Sequence, residues 1–246
     1  MMSGSVSLIG AGPGDPELLT RRAAARLRRA DLVLFDALVD GRVLRLARRA
    51  EQVFVGKRVG QRAIAQGTIH ALMIDAAQRG RYVVRLKGGD PLVFGRGGEE
   101  ALALQAAGVP FEIIPGISSA TAAPAAAGIP ATHRGFASGF VVISGHSGQS
   151  VSTMLAAIAP NMVTLIVLMG LQGRHTLTAD LLARGWRADL PAAVVLNAWC
   201  TGQHVWRGVL AQMPQAIVQT GAPGTIVIGE TAALHLHSPF TPARLR

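Results

Sequence analysis

The sequence is short of several things, and each shortage excludes something. A single cysteine, Cys200, leaves no partner for an intrachain disulfide and no cysteine-built zinc site. A reducing cytoplasm is therefore the expected compartment. Aromatic residues make up only 4%, few for the base-stacking platforms of a nucleic-acid binder. Long apolar runs are missing too. Met162–Met169 is among the longest and falls far short of the roughly 20 residues that cross a bilayer. The amino end, Met1-Met2-Ser3-Gly4, has neither the charged region nor the apolar region of a signal peptide, so none is expected. Lysine is almost absent, with Lys57 and Lys87 the only two.

What is present is apolar bulk and arginine. Half the residues are hydrophobic and 15% are charged, which excludes a disordered chain. Lys and Arg number 24 against 14 Asp and Glu, a net charge of +10. Arginine's planar fork suits a polyanionic partner, binding carboxylate or phosphate in bidentate fashion. A GC-rich genome would enrich arginine equally well. The basic residues are scattered, with only short clusters at Arg26, Arg28, Arg29 and at Arg45, Arg48, Arg49. No nucleic-acid motif accompanies them.

Continuous apolar strands alternate with helices, the pattern of a parallel sheet covered on both faces. In the first half, strands are expected at Ser5–Ile9, Asp31–Asp36, Gln52–Gly56, Tyr82–Leu86 and Phe111–Ile114. Helices are expected over Pro16–Ala30, Gly41–Arg48, Thr68–Gln78 and Gly98–Ala107. Asp15 is the expected cap of the first, with Pro16 behind it. Pro115–Ser119 breaks the pattern, which sets a domain boundary between residues 1–114 and 115–246. The second half repeats the style. Its strands are expected at Phe140–Ser144, Val163–Met169, Ala193–Ala198 and Thr225–Gly229, its helices near Val151–Ala159, Leu177–Arg184 and Leu210–Gln219.

Two motifs stand out. Gly10-Ala11-Gly12-Pro13-Gly14-Asp15 follows a strand and opens a helix. The third glycine of a dinucleotide fingerprint would fall at Asp15, where an acid would face a pyrophosphate, so an NAD-binding domain is a poor fit. An ordinary tight turn accounts for these glycines as well. The second motif, Arg85 to Glu100 (RLKGGDPLVFGRGGEE), is far more specific. Adjacent glycines at a strand end let backbone approach a ligand. Glu99 and Glu100 would equally serve the amino end of the next helix.

Together these segments resemble the uroporphyrinogen-III C-methyltransferases of the tetrapyrrole methyltransferase superfamily. The likeness runs roughly from Val6 to Leu234. It is carried by the GAGPGD turn with Leu18-Leu19-Thr20, Ala30-Asp31 to Phe35-Asp36 with Leu38-Val39, and Val55-Gly56-Lys57-Arg58. The long motif, Pro115-Gly116-Ile117, Gly128 to Arg134, Gly145-His146 and Leu168-Met169-Gly170 complete it. The resemblance implies two α/β domains with mostly parallel sheets in the tetrapyrrole methylase (class III methyltransferase) fold. It further implies S-adenosylmethionine in the interdomain cleft, S-adenosylhomocysteine as its product, a homodimer and no metal.

Carried over by position, the cofactor contacts are Pro13, then Gly88, Gly89, Asp90 and Val93, then Ser118 and Ser119, where many relatives have Thr-Ala. Met169, Ala198 and Gly224 follow from the second half. On residue type alone, Met169 reads as core packing. The resemblance makes Asp36 a proton acceptor and Lys57 a proton donor. Asp36 ends an apolar strand, where desolvation disfavours the carboxylate and strengthens the base. It also reads as a helix cap, and Lys57 as a surface lysine. Arg96, a competing base candidate in similar enzymes, is better suited to clamping substrate carboxylates. Glu99, Arg134 and His146 are the other substrate-binding candidates. Many relatives have a polar residue just after Asp36; here it is Ala37.

The implied substrate is uroporphyrinogen III, an octacarboxylate. It would be methylated at C-2 and then C-7, through precorrin-1 to precorrin-2, toward sirohaem, cobalamin or haem d1. Neither nucleic acid nor membrane is an expected partner. The alternatives are a methyltransferase acting on a later precorrin and a basic nucleic-acid-binding protein.

Overall fold

The first half folds as a five-stranded sheet in which every pairing is parallel. The computed structural model describes residues 4–56, 64–146, 148–217 and 221–236. The first sheet is built from β1 (Ser5–Gly10), β2 (Leu32–Phe35), β3 (Glu51–Phe54), β4 (Tyr82–Lys87) and β5 (Phe111–Ile114), in the order β3-β2-β4-β1-β5. Both faces are covered. Helices α1 (Arg21–Leu27) and α2 (Gly41–Leu44) bury Ala23, Leu27 and Val43 against Ile9, Val33 and Leu86. On the other face α3 (Gln66–Gln78) and α4 (Gly97–Ala106) bury Ile69, Met73 and Leu104 against Leu8, Leu34 and Val83. Burial of this kind is worth about 1.5–3 kcal/mol for each large side chain.

The expected helix over Pro16–Ala30 is broken. Pro16–Leu18 forms a short 3-10 turn, capped by Asp15, whose Oδ1 accepts from the Glu17 amide at 2.9 Å. Leu19 is extended, and Thr20 then caps α1 by accepting from the Ala23 amide at 3.2 Å. Two caps, Asp15 and Thr20, divide the one expected helix.

The chain divides into two compact units between Ser119 and Ala120, at the far end of the segment read as a hinge. The second unit holds β6 (Phe140–Ser144), β7 (Thr164–Leu168), β8 (Pro191–Leu196), β9 (His204–Val209) and β10 (Gly224–Ile228). Their order is β6-β7-β10-β8-β9. Here α5 (Ser119–Ala126), α6 (Gly148–Ala156) and α7 (Arg174–Ala183) are the helices, and Leu210–Gln215 is a 3-10 turn rather than the expected longer helix. The tie between β6 and β7 is parallel; β7–β10, β10–β8 and β8–β9 are antiparallel. Across the described residues parallel pairing still predominates, but the second sheet corrects the expectation for its own half. Strands β7, β8 and β10 are largely apolar because both faces are covered, by Leu155, Leu181 and Met213 on one side and Ala123 and Ile129 on the other; β9, at the sheet's edge, is not.

Candidate active site

All five strands of the first sheet run the same way, so their carboxyl ends share one edge. The loops after the neighbours β1 and β4 lead in opposite directions, to β2 and β5, and ligands of open α/β sheets bind at such a switch point. These two loops are the glycine turn and the GGDP segment. They are tied together: Gly12 N donates to Gly89 O at 3.2 Å and Gly89 N to Gly12 O at 2.7 Å. A Cβ on Gly10 would lie 2.5 Å from both Gly116 N and Gly89 O, so three strand ends meet backbone to backbone. Gly89 itself has φ +66°, a conformation that favours glycine. Asp90 fastens the loop, its Oδ1 accepting from Leu92 N at 2.8 Å and its Oδ2 from Gly116 N at 3.1 Å. Pro13, Gly88, Gly89, Asp90, Val93, Ser118 and Ser119 thus all follow strand ends at this edge, with Ser119 N 3.7 Å from a Cβ on Gly89.

Asp36 leaves β2 at the same edge, and its surroundings are not simply apolar. Its Oδ1 accepts from Arg85 Nη2 at 2.6 Å, and Lys87 Nζ lies 3.8 Å from its Oδ2. Arg85 Nε and Lys87 Nζ each also donate to Glu100 Oε1 at 3.0 Å, and Gln66 Nε2 donates to the same oxygen at 3.1 Å. The side chains of Arg85, Lys87 and Glu100 are 2%, 4% and 0% exposed, against 28% for Asp36. The carboxylate of Asp36 is therefore the solvent-facing end of a buried charge network. Burial holds the Lys87 ammonium below its usual pKa. The charge of Arg85 adds to this, and Glu100 and Asp36 oppose it. Glu100 Oε2 is buried without a hydrogen-bond partner among the described residues.

Arg96 caps α4 in the left-handed conformation, φ +60°. Its guanidinium is already forked onto Glu99, with Nε to Oε1 at 3.0 Å and Nη2 to Oε2 at 2.6 Å. Both side chains are more than half exposed, so this pair is worth little and a competing carboxylate can displace it. Lys57, the expected proton donor, lies outside the described residues.

In the second unit, His146 follows β6, Met169 follows β7 and Ala198 follows β8, while Gly224 opens the antiparallel β10. The register sets Gly224 opposite Leu196, and Thr225 opposite Leu168, so these four residues gather at one edge of their own sheet. Met169 is 41% exposed with φ +57°, which is not the geometry of core packing. Neighbouring Asn197 and Trp199 also have positive φ, and Trp199 Nε1 donates to Ala122 O at 2.7 Å, anchoring the loop that carries Ala198. Strained residues of this kind concentrate at functional sites. Arg134 lies in the exposed turn closed by the His133–Ala137 bridge, with no ion pair among the described residues.

Residues 5–214 match the family model of the Tetrapyrrole (Corrin/Porphyrin) Methylases. The chain belongs to this family. It is 44% identical over 233 residues to the siroheme synthase of Tolumonas auensis, covering 94% of the chain and 50% of that protein. The chain thus spans about half the length of the curated relatives it matches. Among solved structures, the uroporphyrin-III C-methyltransferase from Thermus thermophilus complexed with S-adenyl homocysteine superposes with a TM-score of 0.80. The two are 40% identical, over 93% of this chain and 98% of that one. A cobalt precorrin-4 methyltransferase also superposes at 0.80, with 25% identity over 93% and 95% of the two chains.

For a tetrapyrrole methylase, sequence reasoning placed the loops but missed Arg85, Lys87 and Glu100. A signal was there. In a strand, residues two apart share a face, so Arg85 and Lys87 put two cations on one side of an otherwise apolar β4.

Proposed function

We propose that the chain transfers methyl groups from S-adenosylmethionine to C-2 and then C-7 of uroporphyrinogen III, giving precorrin-2. The observation that carries this is the Asp36 carboxylate, backed by buried Arg85, at the switch-point edge beside the glycine-tied GGDP loop. The likeness to the Thermus enzyme supports the choice of substrate.

The residues present fit the cofactor. The Gly12–Gly89 bridge holds two side-chain-free backbones at a close approach, and Val93 (37% exposed) offers apolar surface on the same loop. Pro13, Gly88, Gly89, Asp90, Val93, Ser118 and Ser119, with Met169, Ala198 and Gly224, are read as its contacts. When bound, the cofactor supplies an electrophilic sulfonium methyl. The chain's own contribution is alignment and proton handling. Asp36 accepts the pyrrole N–H proton as the ring carbon becomes nucleophilic. Arg96, with Glu99, Arg134 and His146, holds the carboxylate rim, which agrees with the +10 charge. Lys57 is read as the proton donor. A cytoplasmic homodimer is the assembly that the family resemblance favours. Among the described residues, no helix is long and apolar enough to cross a membrane.

The cobalt precorrin-4 methyltransferase superposes equally well, which keeps a later precorrin as the second reading. Purified protein incubated with uroporphyrinogen III and methyl-labelled S-adenosylmethionine separates the two. Two labelled methyls per macrocycle are expected. No incorporation, with transfer to a later precorrin instead, would refute the proposal.

A further inference from the structure

We infer that Lys87 is a positioning residue which, with Arg85 and Glu100, fixes the ionisation and orientation of the Asp36 carboxylate. This rests on the reading of Asp36 as proton acceptor. A buried set of ions contributes little stability over a well-packed apolar replacement, so its presence asks for another reason. The formal charges of the four groups cancel, two cations against two anions. Glu100 Oε1 gathers Arg85, Lys87 and Gln66, each within 3.1 Å, and the two cations are turned from there onto Asp36. Arg85 takes Oδ1 at 2.6 Å; Lys87 is the cation nearest Oδ2, at 3.8 Å. Asp36 alone of the four has appreciable contact with solvent.

In the reaction, the pyrrole N–H proton passes to Asp36, and its bonding pair stays with the macrocycle. The ring carbon forms the new bond to methyl while the methyl–sulfur bond breaks, leaving that pair on sulfur. Protonated Asp36 leaves the network with one uncompensated positive charge in a dry setting. Lys87 therefore opposes lasting protonation and returns Asp36 to the carboxylate. The groups facing the network are Asp36 after β2, Arg85 and Lys87 on β4, and Gln66 and His70 on α3. On α4 it is Glu100; Glu99 beside it turns outward to Arg96, which chiefly draws its carboxyl below its usual pKa.

The test is a ¹³C-carboxyl NMR titration of labelled aspartates, with the Asp36 signal assigned through Asp36→Asn, alongside pH–rate profiles. Lys87→Met, which keeps the length and removes the charge, is expected to move the Asp36 titration and the acid limb of kcat upward by about one pH unit or more. Binding of S-adenosylhomocysteine should stay within about twofold, an effect too small to matter energetically, and Lys87→Arg should restore the wild-type profile. Glu100→Gln, which removes an anion, should move both readouts downward. An unmoved Asp36 signal in Lys87→Met overturns the proposal even if turnover falls. If that variant does not fold, Glu100→Gln decides alone: a signal that stays put or moves upward overturns the proposal. Should the wild type fail to methylate uroporphyrinogen III, the functional reading falls, while the titration still decides the coupling.

Discussion

The first sheet carries a second charged cluster besides the one at its carboxyl edge. Near the amino ends of β1, β4 and β5, Glu112 accepts from Ser7 Oγ at 2.8 Å, from Arg22 Nη2 at 2.8 Å and from Arg26, while Ser7 also bonds Tyr82. Its carboxyl is pulled down to about 2, first by the hydrogen bond from Arg26, with Ser7 and Arg22 adding. Both of its oxygens are satisfied, and Arg22 is 65% exposed. Glu100 has the same chemistry with opposite surroundings: no exposure, two buried cations and one oxygen without a partner among the described residues. A wet, satisfied cluster ties strands together at low cost. A dry, incompletely satisfied one is a poor staple, and it stands where ligands of this architecture bind.

The comparison breaks most visibly at Glu100. Glu100→Ala removes the anion that two buried cations share and should cost about 3–5 kcal/mol in urea unfolding; a loss below about 1 kcal/mol would mean the cluster is not dry. Next in size are the carboxylate clamps. Arg134→Ala and Arg96→Ala should each raise the uroporphyrinogen III dissociation constant roughly tenfold, the loss of one charge-assisted contact. S-adenosylhomocysteine affinity, measured by calorimetry, should hold. Lost cofactor affinity would contradict the roles given to them.

The smallest effect belongs to the exposed cluster. Glu112→Gln should lower stability by about 1 kcal/mol or less and leave turnover unchanged. Because the folded-state pKa of Glu112 is depressed from 4.5 to about 2, its contribution is full above pH 4.5 and fades as pH falls toward 2. The stability gap between wild type and Glu112→Gln should therefore narrow across that interval. A gap constant with pH would show that the carboxylate is not what stabilises.

Strand positions were legible because apolar runs report burial. Direction was not, since a run covered on both faces reads alike in parallel and antiparallel sheets. β9 escaped because His204-Val205-Trp206-Arg207-Gly208-Val209 is half-buried and mixes His204, Arg207 and Gly208 among its apolar residues without alternation, and α5 because Pro124 interrupts an alanine run with no amphipathic pattern. At the site, Gly10, Gly89, Asp90 and Asp36 were readable as punctuation at strand ends. Glu100 was not: on the chain it is one of two acids opening a helix. Only the fold turns Glu99 outward to Arg96 and Glu100 inward to Arg85 and Lys87.

On the proposed function Asp36, at the exposed end of the dry network, takes the substrate proton. Single-turnover methylation of uroporphyrinogen III by Asp36→Asn, followed across pH beside the wild type, tests it most directly. Asparagine keeps the shape and an oxygen for Arg85, and the cap of the following helix is Asp40, not Asp36. The expected result is an unchanged fold and cofactor affinity, a rate lower by about 10²–10⁴, and no acid limb in the variant's profile. A variant turning over at near the wild-type rate, with the acid limb intact, would contradict it.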